Sequence, residues 1–226
     1  MPVDIVFYQI IKSMICEGII DHDHLKHLKA EEWRDLYDLS ISQGLTAITY
    51  IQLKPVLNQV DIPAELQRKW RIHSLTINNK MQIMNKACAE FAEKMYERGI
   101  PVVALKGVAY ASYYPDPNIR ECGDLDCYMF DKKDEGDQAI CEIGGRMEEG
   151  GPKHSHLFYK GLTIENHKYF TNFDNSEQGR FTEVELQKLM NRKCEYLADT
   201  RLLNPSPDFT AVFLIKHAQR HFLYEG

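Results

Sequence analysis

The residues best placed to do chemistry are Asp124 and Asp126, in the run Gly123-Asp124-Leu125-Asp126-Cys127. Side chains on a strand alternate between faces. The two carboxylates therefore project to one side, and Leu125 and Cys127 to the other. Two residues of rise put their Cβ atoms roughly 6–7 Å apart. Like charges that close, beside apolar neighbours, repel each other, and a divalent cation removes the repulsion. Carboxylate oxygens, phosphate oxygens and water suit Mg²⁺ or Mn²⁺. Taken alone, D-x-D also describes a solvated strand end, so the weight rests on what surrounds it.

Upstream, Lys106-Gly107 follows the apolar run Val102-Val103-Ala104-Leu105 and precedes a helical stretch. A glycine at such a turn lets backbone N–H groups approach a phosphate, and the start of a helix favours an anion. Lys106 itself divides between a phosphate contact and a salt bridge. Downstream, Glu165 lies in Leu162-Thr163-Ile164-Glu165-Asn166-His167, a second strand-like run. A third carboxylate from a neighbouring strand would complete a two-metal site of the kind that activates an attacking oxygen and holds a triphosphate. Arg120 suits a phosphate by its guanidinium geometry. It suits equally a structural role, pinning its loop through Asp116 or Asp124.

The elements that must position these residues are legible in outline. Apolar spacing predicts helices over 3–17, 30–42 and 44–53, and a long helix over 63–98 with Pro63 at its first turn and Gly99 past its end. Residues 101–105 and 125–130 read as strands, 108–114 and 134–143 as helices. Residues 156–159 and 162–167 read as a hairpin across Lys160-Gly161. Gly144, Gly145, Gly150 and Gly151 flank a segment read as a loop. Residues 182–194 and 207–223 are helical in pattern. The expected class is α+β: a helical N-terminal region (1–99), an α/β core (100–181) and a C-terminal helical region (182–226). That last region is expected to be cut short, because an apolar helix runs almost to Gly226.

Composition narrows the classes. A net charge of −6 argues against a general nucleic-acid binder, though not against a local basic groove. The six cysteines form no C-x-x-C pair, which disfavours a zinc ribbon or a thioredoxin-like motif. No apolar stretch reaches the ~18 residues of a membrane span, and no signal-peptide pattern opens the chain. The expectation is a soluble, cytoplasmic protein with no membrane partner. Other histidines weigh less. His22, His24 and His27 read as a polar turn. His154 and His156 share a strand face and read as an exposed hairpin edge. His217 and His221 share a helix face but lack the glutamate of a zinc-protease helix, Ala218 standing in its place.

The span LKGVAYASYYPDPNIRECGDLDCYMF resembles the uncharacterised nucleotidyltransferase family of the DNA polymerase β-like superfamily. Leu105, Lys106 and Gly107 match its first turn. Tyr114, Asp116, Pro117 and Arg120 match its loop, and Gly123, Asp124, Leu125 and Asp126 its strand opening. Glu165 and His167 fit its E-x-H strand, and His217 with His221 its late helix. The resemblance implies a small mixed sheet of polymerase β-like type and Mg²⁺- or Mn²⁺-dependent transfer of a nucleoside monophosphate from a nucleoside triphosphate such as ATP. It implies Asp124, Asp126 and Glu165 as catalytic metal ligands, and Lys106, Gly107, Arg120 and Gly123 around the nucleotide. Departures are Cys127 where Leu is common, Tyr128 on the metal face, and a short segment over 131–153. They leave open a nucleotide-binding regulator without turnover, or a protein-interaction module. The hydroxyl acceptor stays open among protein, tRNA and small molecules.

Overall fold

The computed structural model describes residues 2–16, 22–151, 153–171 and 177–224. The chain divides into two compact units. One comprises Met1–Ile83 with Tyr113–Glu121, the other Met84–Ser112 with Cys122–Gly226.

The first unit is helical. It contains α1 (Val3–Ile15), α2 (His22–Lys26), α3 (Ala30–Ser42), α4 (Thr46–Leu53) and the start of α5 (Ala64–Tyr96). The aliphatic and aromatic positions that gave the helical spacing form one core, including Val6, Ile10, Trp33, Leu36 and Trp70. Trp70 meets Tyr37 edge-on at 5.2 Å and donates its indole N–H to the Thr46 carbonyl at 3.0 Å, which satisfies the buried polar atom. The loop Tyr113–Glu121 belongs to this unit. Asp116 caps its short 3₁₀ turn by accepting from the Asn118 backbone N–H at 2.9 Å, and accepts from Asn78 at 3.2 Å. His24 lies on α2 rather than in a turn; the sequence offers too few apolar positions there to show a five-residue helix. The His22 side chain lies outside the described residues.

The second unit holds β1 (Val102–Ala104), α6 (Val108–Ala111), β2 (Leu125–Tyr128), α7 (Lys133–Glu142), β3 (Arg146–Gly150), β4 (His154–Tyr159), β5 (Leu162–His167), α8 (Glu177–Met190), β6 (Glu195–Tyr196), β7 (Leu202–Asn204) and α9 (Pro207–Tyr224). Its described strands form one mixed sheet in the order β3-β4-β5-β2-β1-β7-β6. The β2–β5 and β1–β7 pairs are parallel and the others antiparallel. The class is therefore α+β, as the pattern predicts.

The residues 144–151 are not a loop. Arg146–Gly150 pairs with β4 as an edge strand. Arg146, Met147 and Glu148 are all exposed, so no alternation shows there in the sequence, and charge of this kind is how natural sheets blunt an edge. The short β6 and β7 also carry no alternating pattern, and pairing alone defines them. The helix after β1 stops at Ala111, four residues long, because Ser112 and the proline-rich loop end it.

Each sheet face has its own cover. Val103, Leu105 and Tyr128 pack with Phe170, Leu186, Met190, Phe209 and Phe213 beneath α8 and α9. Glu183, buried on α8, accepts from the backbone N–H groups of Phe170 and Thr171 at 3.0 and 2.7 Å, and so pins the chain just beyond β5. On the opposite face, Asp137 of α7 accepts from Lys133, Ser155 and Asn166 at 2.9, 2.7 and 2.8 Å. Two strands and a helix are tied there by one carboxylate.

Candidate active site

Parallel pairing of β2 and β5 sets Asp126 directly across from Glu165, and Tyr128 across from His167. Asp124 stands one residue before β2, two from Asp126, and so reaches the same face. One carboxylate oxygen from each of Asp124, Asp126 and Glu165 lies within 4.8 Å of the others. The three carboxylates that the sequence singles out are thus brought together, although Glu165 is far along the chain.

Lys106 completes the cluster. The turn Lys106-Gly107 follows β1, which is antiparallel to β2. The Leu105 N–H donates to the Asp126 carbonyl at 2.9 Å, and the Tyr110 hydroxyl to the Leu105 carbonyl at 2.8 Å. Gly107 has φ +62° and ψ −110°, a conformation that a β-carbon disfavours strongly. The turn it permits carries the Lys106 ammonium to 3.0 Å from Asp126 Oδ2. That contact is an ion pair lying off the line of a good hydrogen bond, since Oδ2 has no aligned donor. The other oxygen, Oδ1, faces His167 Nε2 at 3.1 Å. His167 Nε2 also lies 3.4 Å from Glu165 Oε2.

These neighbours set the charges. Burial works to raise the Asp126 carboxyl. The His167 hydrogen bond and the Lys106 ammonium outweigh it, and hold the group below the usual carboxylate range. Glu165 is likewise held down, chiefly by its bond with His167. Asp124 goes the other way: burial, and then the charge of Asp126, push it up against the weaker pull of Lys106. Burial works to lower both Lys106 and His167, but the carboxylates around them raise both above their ordinary values. Asp126 is nearly sealed, at 2% exposure, whereas Glu165 keeps 22% of its side chain open. A ligand thus meets Glu165 and Asp124 at the surface of the cluster, with Asp126 at its floor.

The donor set fits a hard divalent cation. Three carboxylate oxygens converge from two elements, with the Asp124 carboxyl raised by burial and by the charge of Asp126, and all are of the type that Mg²⁺ or Mn²⁺ prefers.

Tyr128 keeps the carboxylates' face of β2 by alternation but is engaged elsewhere on it. Its ring packs on Phe130 and Phe170 at 5.3 and 4.8 Å, and its hydroxyl donates to Gln187 at 3.0 Å, beneath α8. His154 and His156 are not on a sheet edge, because β3 covers that side of β4. They face Glu165 and His167 instead. The signal for this was present. A two-residue turn at Lys160-Gly161, with φ +46° and +85°, is of the type I′ kind that fixes hairpin register. That register sets His154 opposite His167 and His156 opposite Glu165.

The remaining nucleotide candidates are less engaged. Gly123 is exposed, with open space where a β-carbon would stand. Arg120 lies in the other compact unit; it is half-buried, and its Nη1 has no hydrogen-bond partner. On α9, His217 stacks at 6.0 Å on Phe213, a packing role. The side chain of His221 lies outside the described residues.

A family model described as uncharacterised nucleotidyltransferase matches residues 29–226. No curated protein and no solved structure matches the chain.

Proposed function

The chain belongs to the uncharacterised nucleotidyltransferase family, and from that premise we propose that it is a metal-dependent enzyme with a core of polymerase β-like type. It would transfer a nucleoside monophosphate from a nucleoside triphosphate, ATP among them, to a hydroxyl acceptor, and release pyrophosphate. The observation that carries this reading is the convergence of Asp124, Asp126 and Glu165 within 4.8 Å.

Those three residues would hold Mg²⁺ or Mn²⁺. Such an ion, when bound, supplies charge neutralisation for the triphosphate and makes a hydroxyl easier to deprotonate. The chain's own groups do the rest. Lys106 keeps Asp126 ionised at the floor of the cluster, and is the cation there best placed to meet a phosphate oxygen. The positive φ of Gly107 holds the turn open beside it without a side chain. Glu165 is held ionised by His167, and so serves better as a ligand than as a base, since a depressed pKa makes a weak proton acceptor. Gly123 leaves the approach to Asp124 clear. Catalysis of this kind rests on positioning and charge rather than covalent chemistry.

Thermal melting tests the binding half. Mg²⁺ with the preferred triphosphate should stabilise the native state by about 2.7 kcal/mol at a hundredfold excess over Kd. Absence of a shift with every common triphosphate, with Mg²⁺ and with Mn²⁺ at millimolar concentration, would sink the proposal. Pyrophosphate release tests turnover. A melting shift with no release under any acceptor supports the regulator instead.

A further inference from the structure

The sheet face that bears the carboxylates also bears three histidines, and the reaction proposed above uses none of them as a ligand. His154 and His156 lie on β4, His167 on β5. A ring nitrogen of His154, a ring nitrogen of His167 and an oxygen of Glu165 all lie within 4.8 Å of one another. His156 stands beside them. Its Nε2 is 3.0 Å from His154 Nε2 and its Nδ1 is 3.7 Å from Glu165 Oε1.

Two details point to a missing ligand. His154 Nδ1 is buried and has no hydrogen-bond partner, which is costly for a polar atom withdrawn from water. At His167, Nδ1 faces the Tyr169 carbonyl at 3.4 Å, the arrangement that commonly orients a metal-binding imidazole. Its Nε2 faces two carboxylate oxygens, 3.1 and 3.4 Å away. In the metal-free protein a proton on Nε2 bridges them, and a divalent cation takes the place of that proton with the imidazole as its ligand.

We propose that His154, Glu165 and His167, with His156 at their side, form a second metal site that takes a divalent transition ion of the Zn²⁺ or Co²⁺ type. Imidazole nitrogen with one carboxylate suits such ions, whereas Mg²⁺ keeps to oxygen. Glu165 belongs to both donor sets. An ion in the histidine site draws Glu165 away from Asp124 and Asp126, so the second site antagonises Mg²⁺. The site itself stands independently of the nucleotidyl-transfer reading; only the antagonism rests on it.

The test is Co²⁺ titration of tag-free, chelator-stripped protein, followed by visible absorption, with no nucleotide present. Nitrogen-ligated Co²⁺ of low coordination number absorbs strongly, whereas Co²⁺ in an all-oxygen site absorbs weakly. The expected result is an intense band that saturates at one Co²⁺ per chain. It persists in Asp124→Asn, and in His154→Ala it needs at least ~10-fold more metal. No intense band, a band unchanged in His154→Ala, or a band lost in Asp124→Asn overturns the site. Metal-free melting curves check that the variants fold. Should His154→Ala not fold, wild-type protein decides. Zn²⁺ should slow carbethoxylation of His154 and His156 by diethyl pyrocarbonate, and an unchanged rate overturns the site. Antagonism is read separately: Zn²⁺ should raise the Mg²⁺ concentration at which a triphosphate shifts the melting curve. An unmoved midpoint overturns the antagonism. A triphosphate that never shifts it overturns the transferase reading and leaves the Co²⁺ result standing.

Discussion

Asp124 and Asp126 carry the same charge two residues apart, and the surroundings separate what each does in the metal-free protein. Asp126 is compensated by Lys106 and His167 and held below the ordinary range; Asp124 is pushed above it. The spacing alone suggested mutual repulsion shared by both. Asp126→Asn should therefore destabilise the metal-free protein by roughly 1–3 kcal/mol, because it strips a charged partner from buried His167 and half-buried Lys106. Asp124→Asn should leave the urea midpoint unchanged or raise it, by relief of like charge. Both should lose the triphosphate-induced melting shift, since an amide is a poor ligand for a hard cation. Equal midpoints for the two variants would contradict the assignment. Gly107→Ala should cost about 1–3 kcal/mol for its backbone conformation alone. Space is not the obstacle, since the nearest neighbours of the added carbon would be at an ordinary 3.5 Å. A midpoint equal to that of wild type would mean the turn can relax.

At the scale of elements, the site depends on the register between β4, β5 and β2, and a polar cluster under the sheet helps to hold it. Asp137 on α7 binds Ser155 of β4 and Asn166 of β5, the residues next to His156 and Glu165. Asp137→Ala takes the paired carboxylate from the little-exposed Lys133 ammonium, which keeps the Ser155 hydroxyl, and removes an acceptor from Ser155 and Asn166. Urea unfolding should show a loss of about 3–5 kcal/mol, the range for breaking a buried charge pair. A loss below ~1 kcal/mol would mean that water replaces the carboxylate. The hairpin was legible because Leu157, Tyr159, Leu162 and Ile164 fall at alternate positions on either side of Lys160-Gly161. The edge strand Arg146–Gly150 was not, since a strand that buries little need not alternate. With β3 unseen, His154 and His156 could only be read as edge residues.

Across the whole molecule, the six cysteines report how burial is distributed. Cys16 and Cys141 are exposed, whereas Cys88 and Cys127 are buried. Burial pushes the Cys88 thiol up to about 12, and Cys127 well above its ordinary value. Iodoacetamide at pH 8 should modify Cys16 and Cys141 in the native protein, and reach Cys88 and Cys127 only after unfolding. Peptide mass mapping checks this, and native labelling of Cys127 would mean that β2 is open to solvent. The sign for stability follows. The unfolded thiols begin to ionise near their ordinary value of 9 while the buried ones stay protonated, so their contribution is lost as pH rises from 9 towards 12. Cys88→Ala should flatten the fall of the urea midpoint over that window. The sequence by itself determined the helical first half, the α+β class, and the identities of Asp124, Asp126 and Glu165 as one chemical set. Each of those is written in local periodicity or in residue type. Only the tertiary structure decided which carboxylate is compensated, that Tyr128 packs under α8, and that the histidine-bearing hairpin lies inside the sheet with Glu165 beside Asp126. Those outcomes depend on β2 pairing with β5 and on β3 covering β4, contacts between segments far apart in the chain that no local pattern encodes.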